Sequence, residues 1–449
     1  MSNKPLLAPE APGRLPGVGH LLPLLRNPMV FLQSLRPIGD IVRIHVGPSL
    51  VYVVNAPELL YQLLVVEAKS LEKGRAFDRA KLLIGDALPT AEGEFHLRQR
   101  RMIQPAFHHE RIASWTTVMR DCANTRINAW QNGQTLHIAE EMHELSLAVL
   151  LKTLIAADLD PAIRQKFFAA TRIFVKELTF QLLYPTEKLR KLPTPGNLRF
   201  RRATADLRSV LDAVIAAYQA DDRDRGDIFS MLCRADADDG YSMTDEQVRN
   251  EGLAILVAGT ETTANTLSWL CYELGKHTDI QERVRAEIRQ VVGDREITGA
   301  DIQQLQYLQQ VVNETLRLHT PNWILTRRTK NDLNLGGITL PSGADILLSL
   351  SALHRDPTLY PEPMKFLPER WGPHRSAPDR GTFMPFGAGI RKCIGDAFAK
   401  AEILNIAAIL FARWRMTLHP DASVRESKAM ATLQPVGLRM IPHDAPRGQ

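Results

Sequence analysis

Residues 386–395 read Phe386-Gly387-Ala388-Gly389-Ile390-Arg391-Lys392-Cys393-Ile394-Gly395. A glycine-rich turn here delivers one cysteine to the start of an apolar helix expected over 394–413. The dipole and free amides at a helix N-terminus favour a thiolate, and Arg391 and Lys392 add positive charge. Gly389 and Gly395 let backbone or a flat ligand come close. A single thiolate with no second cysteine or histidine beside it is a poor zinc site. It suits an iron that already has four equatorial nitrogens, as in haem. The other cysteines, Cys122, Cys233 and Cys271, are widely separated and are read as inert core residues. No C-x-x-C pair exists, which fits a reducing cytosol.

Outward from this stretch the chain reads as mainly α. Of its 449 residues 45% are hydrophobic and 23% charged, enough for a large core, which excludes collagen-like, disordered and disulfide-scaffold classes. No Ser/Gly- or Pro-rich linker cuts it, so one domain over 1–449 is expected. The net charge is +5, without a basic block or a basic–aromatic repeat, so nucleic acid is not an expected partner. The longest uncharged runs, such as Leu15–Leu25 and Val46–Pro57, fall short of the roughly 18 residues a membrane span needs. No signal-peptide pattern opens the chain, and a cytoplasmic protein is expected.

Residues 5–28 read as irregular. Two β-branched runs, 40–46 and 50–54, read as a hairpin, and Asn55 as the N-cap of a helix over 57–66. Helices are expected at 94–107, 111–130, 138–156, 161–180 and 200–220. Thr244-Asp245-Glu246-Gln247 is a capping-box pattern. It opens an apolar helix to about 276 that, at 1.5 Å per residue, spans on the order of 45 Å and is expected to be central and buried. Helices 278–292 and 304–318 follow, then short strands over 324–349 and a Pro/Gly/Arg-rich meander over 355–392.

The cysteine stretch meets every fixed position of F-x-x-G-x-R-x-C-x-G: Phe386, Gly389, Arg391, Cys393 and Gly395. In this the sequence resembles the cytochrome P450 family of haem-thiolate monooxygenases. The resemblance implies that family's fold, with a long central helix over a buried haem b, and Cys393 as axial iron ligand.

Further matches follow in the family's order. Ala258-Gly259-Thr260-Glu261-Thr262-Thr263 lies in the long helix and is similar to the family's oxygen-activating segment. Ala258 and Gly259 thin the helix and leave room for a diatomic ligand. Thr262 can bond back to the Ala258 carbonyl, open the backbone ladder and relay protons, with Glu261 as the acid behind it. Glu314 and Arg317 sit at i, i+3 and can pair. The resemblance makes this pair buried and structural, with Arg370 as third member. The family more often has Phe where Trp371 stands. His96 and Arg100 match the haem-propionate helix, and Arg327 and Arg391 the family's other propionate contacts.

Ala254, Ala258 and Thr262 repeat every four residues and share a helix face. With Leu253 and Val257, and with Asn322, Ile324 and Leu433 opposite, they are expected to border an apolar pocket. Its regions 70–92, 170–200 and 428–435 carry no code that names a substrate.

The implied activity is insertion of one atom of O2 into a small apolar substrate of terpenoid, fatty-acid or polyketide-like type. The resemblance is to bacterial members, including oxidisers of cyclic sesquiterpenes. No flavin or iron–sulfur segment follows residue 449, so electrons are expected from a ferredoxin or flavodoxin with an NAD(P)H-dependent reductase. Such carriers would dock near Arg98, Arg101, Lys392 and Lys400, with Arg391 kept for a propionate. A monomer is expected. The other classes are a peroxide-driven peroxygenase, which tends to lack the acid–alcohol pair, and a haem-thiolate sensor, which would not need it.

Overall fold

The computed structural model describes residues 7–155, 160–183, 191–220, 224–234, 240–373, 381–427 and 432–444. Its centre is one helix, Asp245–Lys276, of 32 residues. Thr244 accepts from the Gln247 amide and Gln247 reaches back to the Thr244 amide, closing the expected capping box. The segment Leu253–Leu274 packs on helices Ile138–Leu154, Pro195–Ala220, Gln306–Leu318 and Asp396–Arg413 around one large apolar core.

A five-stranded sheet stands to one side, in the spatial order Ile41–Val46, Ser49–Val54, Asp345–Ser349, Ile324–Thr329 and Leu71–Glu72. The first pair is the expected hairpin, with Val46 opposite Ser49 and Gly47 at φ +60° in the turn. The second and third strands run parallel, Val51 opposite Asp345. The sheet covers two smaller cores, one of which holds Trp323 and Leu433.

Several local expectations differ from what is found. Helix Leu21–Arg26 interrupts the stretch read as irregular, and a second helix, Pro28–Ser34, follows it. A helix Arg75–Ile84, absent from the expected set, lies within 70–92, with Gly at both caps. The helix after Pro57 is α only to Tyr61 and continues as a wider π turn over Gln62–Val66. Asn55 does not cap it, since Ala56 holds the cap position. The Asn55 amide is buried and donates instead to the Leu35 and Gly39 carbonyls, at 3.2 and 2.8 Å. A buried amide takes the partners that burial leaves it, and these lie far away in sequence.

The meander before the cysteine loop is tied down by one carboxylate. Glu314 and Arg317 are both fully buried and form a two-pronged pair at 2.8 and 2.9 Å. Arg370 Nε donates to Glu314 Oε1 at 3.2 Å, and so does the Leu367 amide at 3.0 Å. The departure at Trp371 has a function of its own. Its indole N–H donates to Glu314 Oε2 at 2.9 Å, a bond that phenylalanine cannot make. Trp371→Phe is therefore expected to lower the unfolding free energy by about 1–3 kcal/mol, the cost of removing one partner from a buried carboxylate. A urea midpoint equal to wild type, at unchanged slope, would contradict this.

Candidate active site

The cysteine loop is shaped by close backbone approach. Gly389 has φ +69°, and a Cβ there would lie 1.9 Å from the Leu64 carbonyl oxygen. The Cys393 amide donates to the Phe386 carbonyl at 2.9 Å, which closes the turn, and Lys400 stands 5.4 Å from the Phe386 ring centre. The helix after it starts at Asp396, with Gly395 at the cap.

Cys393 keeps exposed surface although it sits deep in the loop. Burial pushes its thiol above the ordinary value, while the Gly395 amide, Arg100 and Lys392 pull the other way. The expected thiolate preference is thus present but outweighed by desolvation; a cation at the sulfur reverses that balance. Arg391 adds nothing here, because its guanidinium is bound to the Glu92 carboxylate and the Ala91 carbonyl.

Around this loop lies a surplus of buried positive charge. Arg327 is 7% exposed, and among the described residues its guanidinium makes one hydrogen bond, to the Thr326 carbonyl at 2.8 Å. Burial and Arg391 lower its pKa to about 10. Burial, Arg327 and Arg391 lower that of Lys73 to about 7. Burial, Arg391, Lys73 and Arg100 lower His96 to about 3, so its imidazole stays neutral. Arg100 donates to the Lys392 carbonyl at 2.7 Å. The carboxylate that offsets Lys73, Arg327 and Arg391 is Glu92 alone. Burying the guanidiniums of Arg327 and Arg391, with half-buried Lys73 beside them, against one carboxylate is costly unless further anions join them. A flat ligand carrying two carboxylates and an iron that wants one thiolate fits this donor set.

The central helix supplies the opposite wall. Its middle is lined by small side chains, and Ala258 is exposed there between buried turns. Thr262 Oγ1 donates to the Ala258 carbonyl at 2.7 Å, as expected. The backbone ladder does not open, since the helix stays α throughout. The same back-bond recurs at Thr260, Thr266 and Ser268, so it does not by itself mark the site. Gly259 is small for a different reason than room above the site. A Cβ there would meet Leu150 Cδ2 at 3.0 Å, so its absence lets the helix Ile138–Leu154 pack close.

The remaining sequence-chosen residues fall as follows. Leu253 and Ala254 are buried, and Val257 and Ile324 half-buried. Asn322 is exposed and its amide bonds to no described residue. Leu433 is 1% exposed in the sheet-side core with Trp323 and Val53. Of the basic residues named for docking, Arg101, Lys392 and Lys400 are exposed. Arg98 lies over Tyr241, and Lys392 pairs with Asp396 at 2.5 Å.

Sequence reading missed Lys73, Glu92, Glu251 and the two residues that hold Glu261, namely Thr432 and Gln434. Glu251 is 1% exposed, and burial raises its carboxyl to about 8. It accepts the Leu88 amide at 2.7 Å and so ties the segment carrying Ala91 and Glu92 to the central helix. No local motif flags these residues; a Glu or Lys in a loop reads as solvated until the fold is known.

A family model, "Cytochrome P450", matches residues 9–441. The chain belongs to the cytochrome P450 family. It is 40% identical over 424 residues to cyclooctat-9-en-7-ol 5-monooxygenase of Streptomyces melanosporofaciens, covering 94% of this chain and 92% of the relative. It is 34% identical over 441 residues to pentalenene oxygenase of Streptomyces avermitilis, covering 98% of each. Its fold matches that of the retinoic acid-bound cyanobacterial CYP120A1, with a TM-score of 0.88, 26% identity and coverage of 99% and 100%. As a cytochrome P450 it is a haem-thiolate monooxygenase with haem b as cofactor, and it needs redox partners, substrate and O2. Among the described residues of this P450, no helix is long and apolar enough to cross a membrane.

Proposed function

We propose that this cytochrome P450 hydroxylates a cyclic terpenoid, with Cys393 as its iron ligand and 1–449 acting as one domain. The observation that carries the substrate class is the pair of relatives at 34–40% identity over nearly the whole chain, whose names give cyclooctat-9-en-7-ol and pentalenene. The site chemistry agrees: Leu253, Ala254, Val257 and Ile324 are apolar, and small Ala258 leaves volume beside them. Exposed Asn322 supplies one polar contact, suited to an oxygen already on the substrate.

Haem b, when bound, supplies the redox chemistry that activates O2, sending one atom to the substrate and the other to water. Cys393 Sγ would hold the iron, and Phe386 and Ala258 would line the haem site. Arg100, Arg327, Lys73 and neutral His96 would hold the two carboxylates, with Arg391 shared between them and Glu92, and the charge surplus would be offset on binding. Glu261 gives up protons and regains them from water, and the Thr262 hydroxyl passes them into the site. Exposed Arg101, Lys392 and Lys400 fit a small acidic carrier such as a ferredoxin, with its NAD(P)H-dependent reductase, acting in the cytoplasm.

The test is a panel of cyclic terpene hydrocarbons, their mono-alcohols, fatty acids and macrolactones, added to holoenzyme. Cyclic terpenoids are expected to shift the haem spin state and to turn over with a surrogate ferredoxin, reductase and NADPH, far better than with hydrogen peroxide. Response to fatty acids alone would refute the substrate class. In the same assay Thr262→Ala is expected to keep consuming NADPH while product per NADPH falls severalfold and peroxide accumulates. Unchanged coupling would remove Thr262 from the relay.

A further inference from the structure

The carboxyl of Glu261 is held from outside its own helix. Thr432 Oγ1 donates to Glu261 Oε1 at 2.8 Å, and Gln434 Nε2 donates to the same oxygen at 2.5 Å. One turn along, Asn265 Nδ2 donates to Thr432 Oγ1 at 3.0 Å. One turn further, Trp269 Nε1 donates to the Leu433 carbonyl at 3.2 Å. Glu261, Asn265 and Trp269 are spaced by four, so one helix face meets one extended segment three times in succession.

That segment is itself fixed. Side chains alternate along an extended chain, so Thr432 and Gln434 share the face toward the helix while Leu433 turns into the sheet-side core. The Ser427 amide donates to the Gln434 carbonyl, and the Gln434 amide to Ser427 Oγ, both at 2.9 Å. Ser427 Oγ donates to the Thr432 carbonyl at 3.2 Å. The Leu433 amide donates to the Pro321 carbonyl at 2.9 Å, in the loop that carries Asn322. One strap therefore touches both the acid and the substrate-side loop.

We propose that Thr432 and Gln434 are positioning residues that orient the Glu261 carboxyl and set how readily it releases its proton. This deepens the proposed function and rests on its reading of Glu261 as the acid. Both donors land on Oε1, and Oε2 accepts nothing from a described residue. An oxygen that already receives two donors is a poor place for a proton, so the acid carries it on Oε2. Donors to the charged form favour its release. Release breaks the Oε2–H bond and passes the proton toward the Thr262 hydroxyl, and water returns one to Oε2.

Burial opposes release and raises the Glu261 carboxyl overall, and the two donors counter it. No charged side chain of the central helix, or of any described element packed on it, adds to that balance. Glu426, next to Ser427, pairs with Arg355 and His319, and His319 pairs in turn with Glu273 of the central helix at 2.7 Å. The strap is thus what the protein has to tune this acid.

The test titrates ferric, substrate-free holoenzyme by difference infrared spectroscopy with isotope-labelled glutamate, and Glu261→Gln assigns the carboxyl band. Gln434→Met and Thr432→Val are each expected to raise the midpoint by about one pH unit, the shift that a tenfold weaker hold on the charged form gives. Thr432→Ser, which keeps the hydroxyl, should restore the wild-type midpoint. The pH profile of product per NADPH should move in parallel, while the Soret spectrum and the unfolding midpoint report that the fold is intact. A midpoint unmoved in Gln434→Met and Thr432→Val, with the band lost in Glu261→Gln, overturns the positioning role and leaves the acid in place. A coupling profile unmoved in Glu261→Gln overturns the acid itself, and the positioning role with it.

Discussion

Cys393→Ala is expected to abolish the long-wavelength Soret band of the reduced, carbon monoxide-treated protein completely. That band reports a thiolate on the iron, and no other cysteine can supply one. Cys271 is fully buried, and burial alone pushes its thiol to about 12. Cys233 is pushed to about 11 by burial and by Asp227 and Asp245. Burial also raises Cys122, which lies on the helix His109–Ile127 that packs against Asp396–Arg413. Cys393 alone has an amide, an arginine and a lysine arrayed to oppose desolvation. Among the described residues, no group of three or more His, Cys, Asp or Glu is placed to hold a metal instead. The variant can still take up the ring through the cationic cluster, so bound haem with a displaced Soret maximum is the expected product. Retention of the wild-type band in Cys393→Ala would show that the ligand lies elsewhere.

Arg317→Ala is expected to give the largest loss of stability of any single change outside the cysteine loop, about 3–5 kcal/mol. That is a large part of the 5–15 kcal/mol that typically holds a protein folded. Arg317 and Glu314 are both fully buried, so the removed guanidinium leaves a carboxylate without its main counter-charge. The same change strips donors from the carbonyls of His354, Pro363 and Lys365, which anchor the meander leading to the cysteine loop. Arg370 and the Trp371 indole still reach Glu314, which keeps the cost within that range. The double change Glu314→Leu with Arg317→Leu should recover part of the loss, because it removes the stranded charge. The measurement is the urea midpoint of each holoprotein, together with its haem content. If Arg317→Ala matched wild type in both, the pair would be worth no more than an exposed ion pair.

The elements that could be read from the sequence are those set by local rules. The central helix was legible because its capping box and apolar length are properties of neighbouring residues. The hairpin over 41–54 followed from β-branched runs around Gly47-Pro48. The cysteine loop followed from glycine spacing, where Gly389 answers a backbone contact that any side chain would break. These motifs also carry the family, so haem, thiolate and monooxygenase chemistry were within reach of the sequence.

What only the tertiary structure decided are the meetings of distant residues. Thr432 and Gln434 stand 171 and 173 positions from the acid they hold. Arg391 finds Glu92 at a separation of 299. Trp371 looked like a variant of an aromatic position until its indole was placed on Glu314, and Gly259 looked like space for a ligand until Leu150 was placed against it. Asn55, an obvious cap by sequence, was drawn away by carbonyls 16 and 20 residues earlier. The reason is common to all five. Local pattern fixes backbone conformation, whereas the partner of a buried polar group, and the neighbour a missing Cβ makes room for, are set by which elements pack together. That packing is settled by the whole core at once.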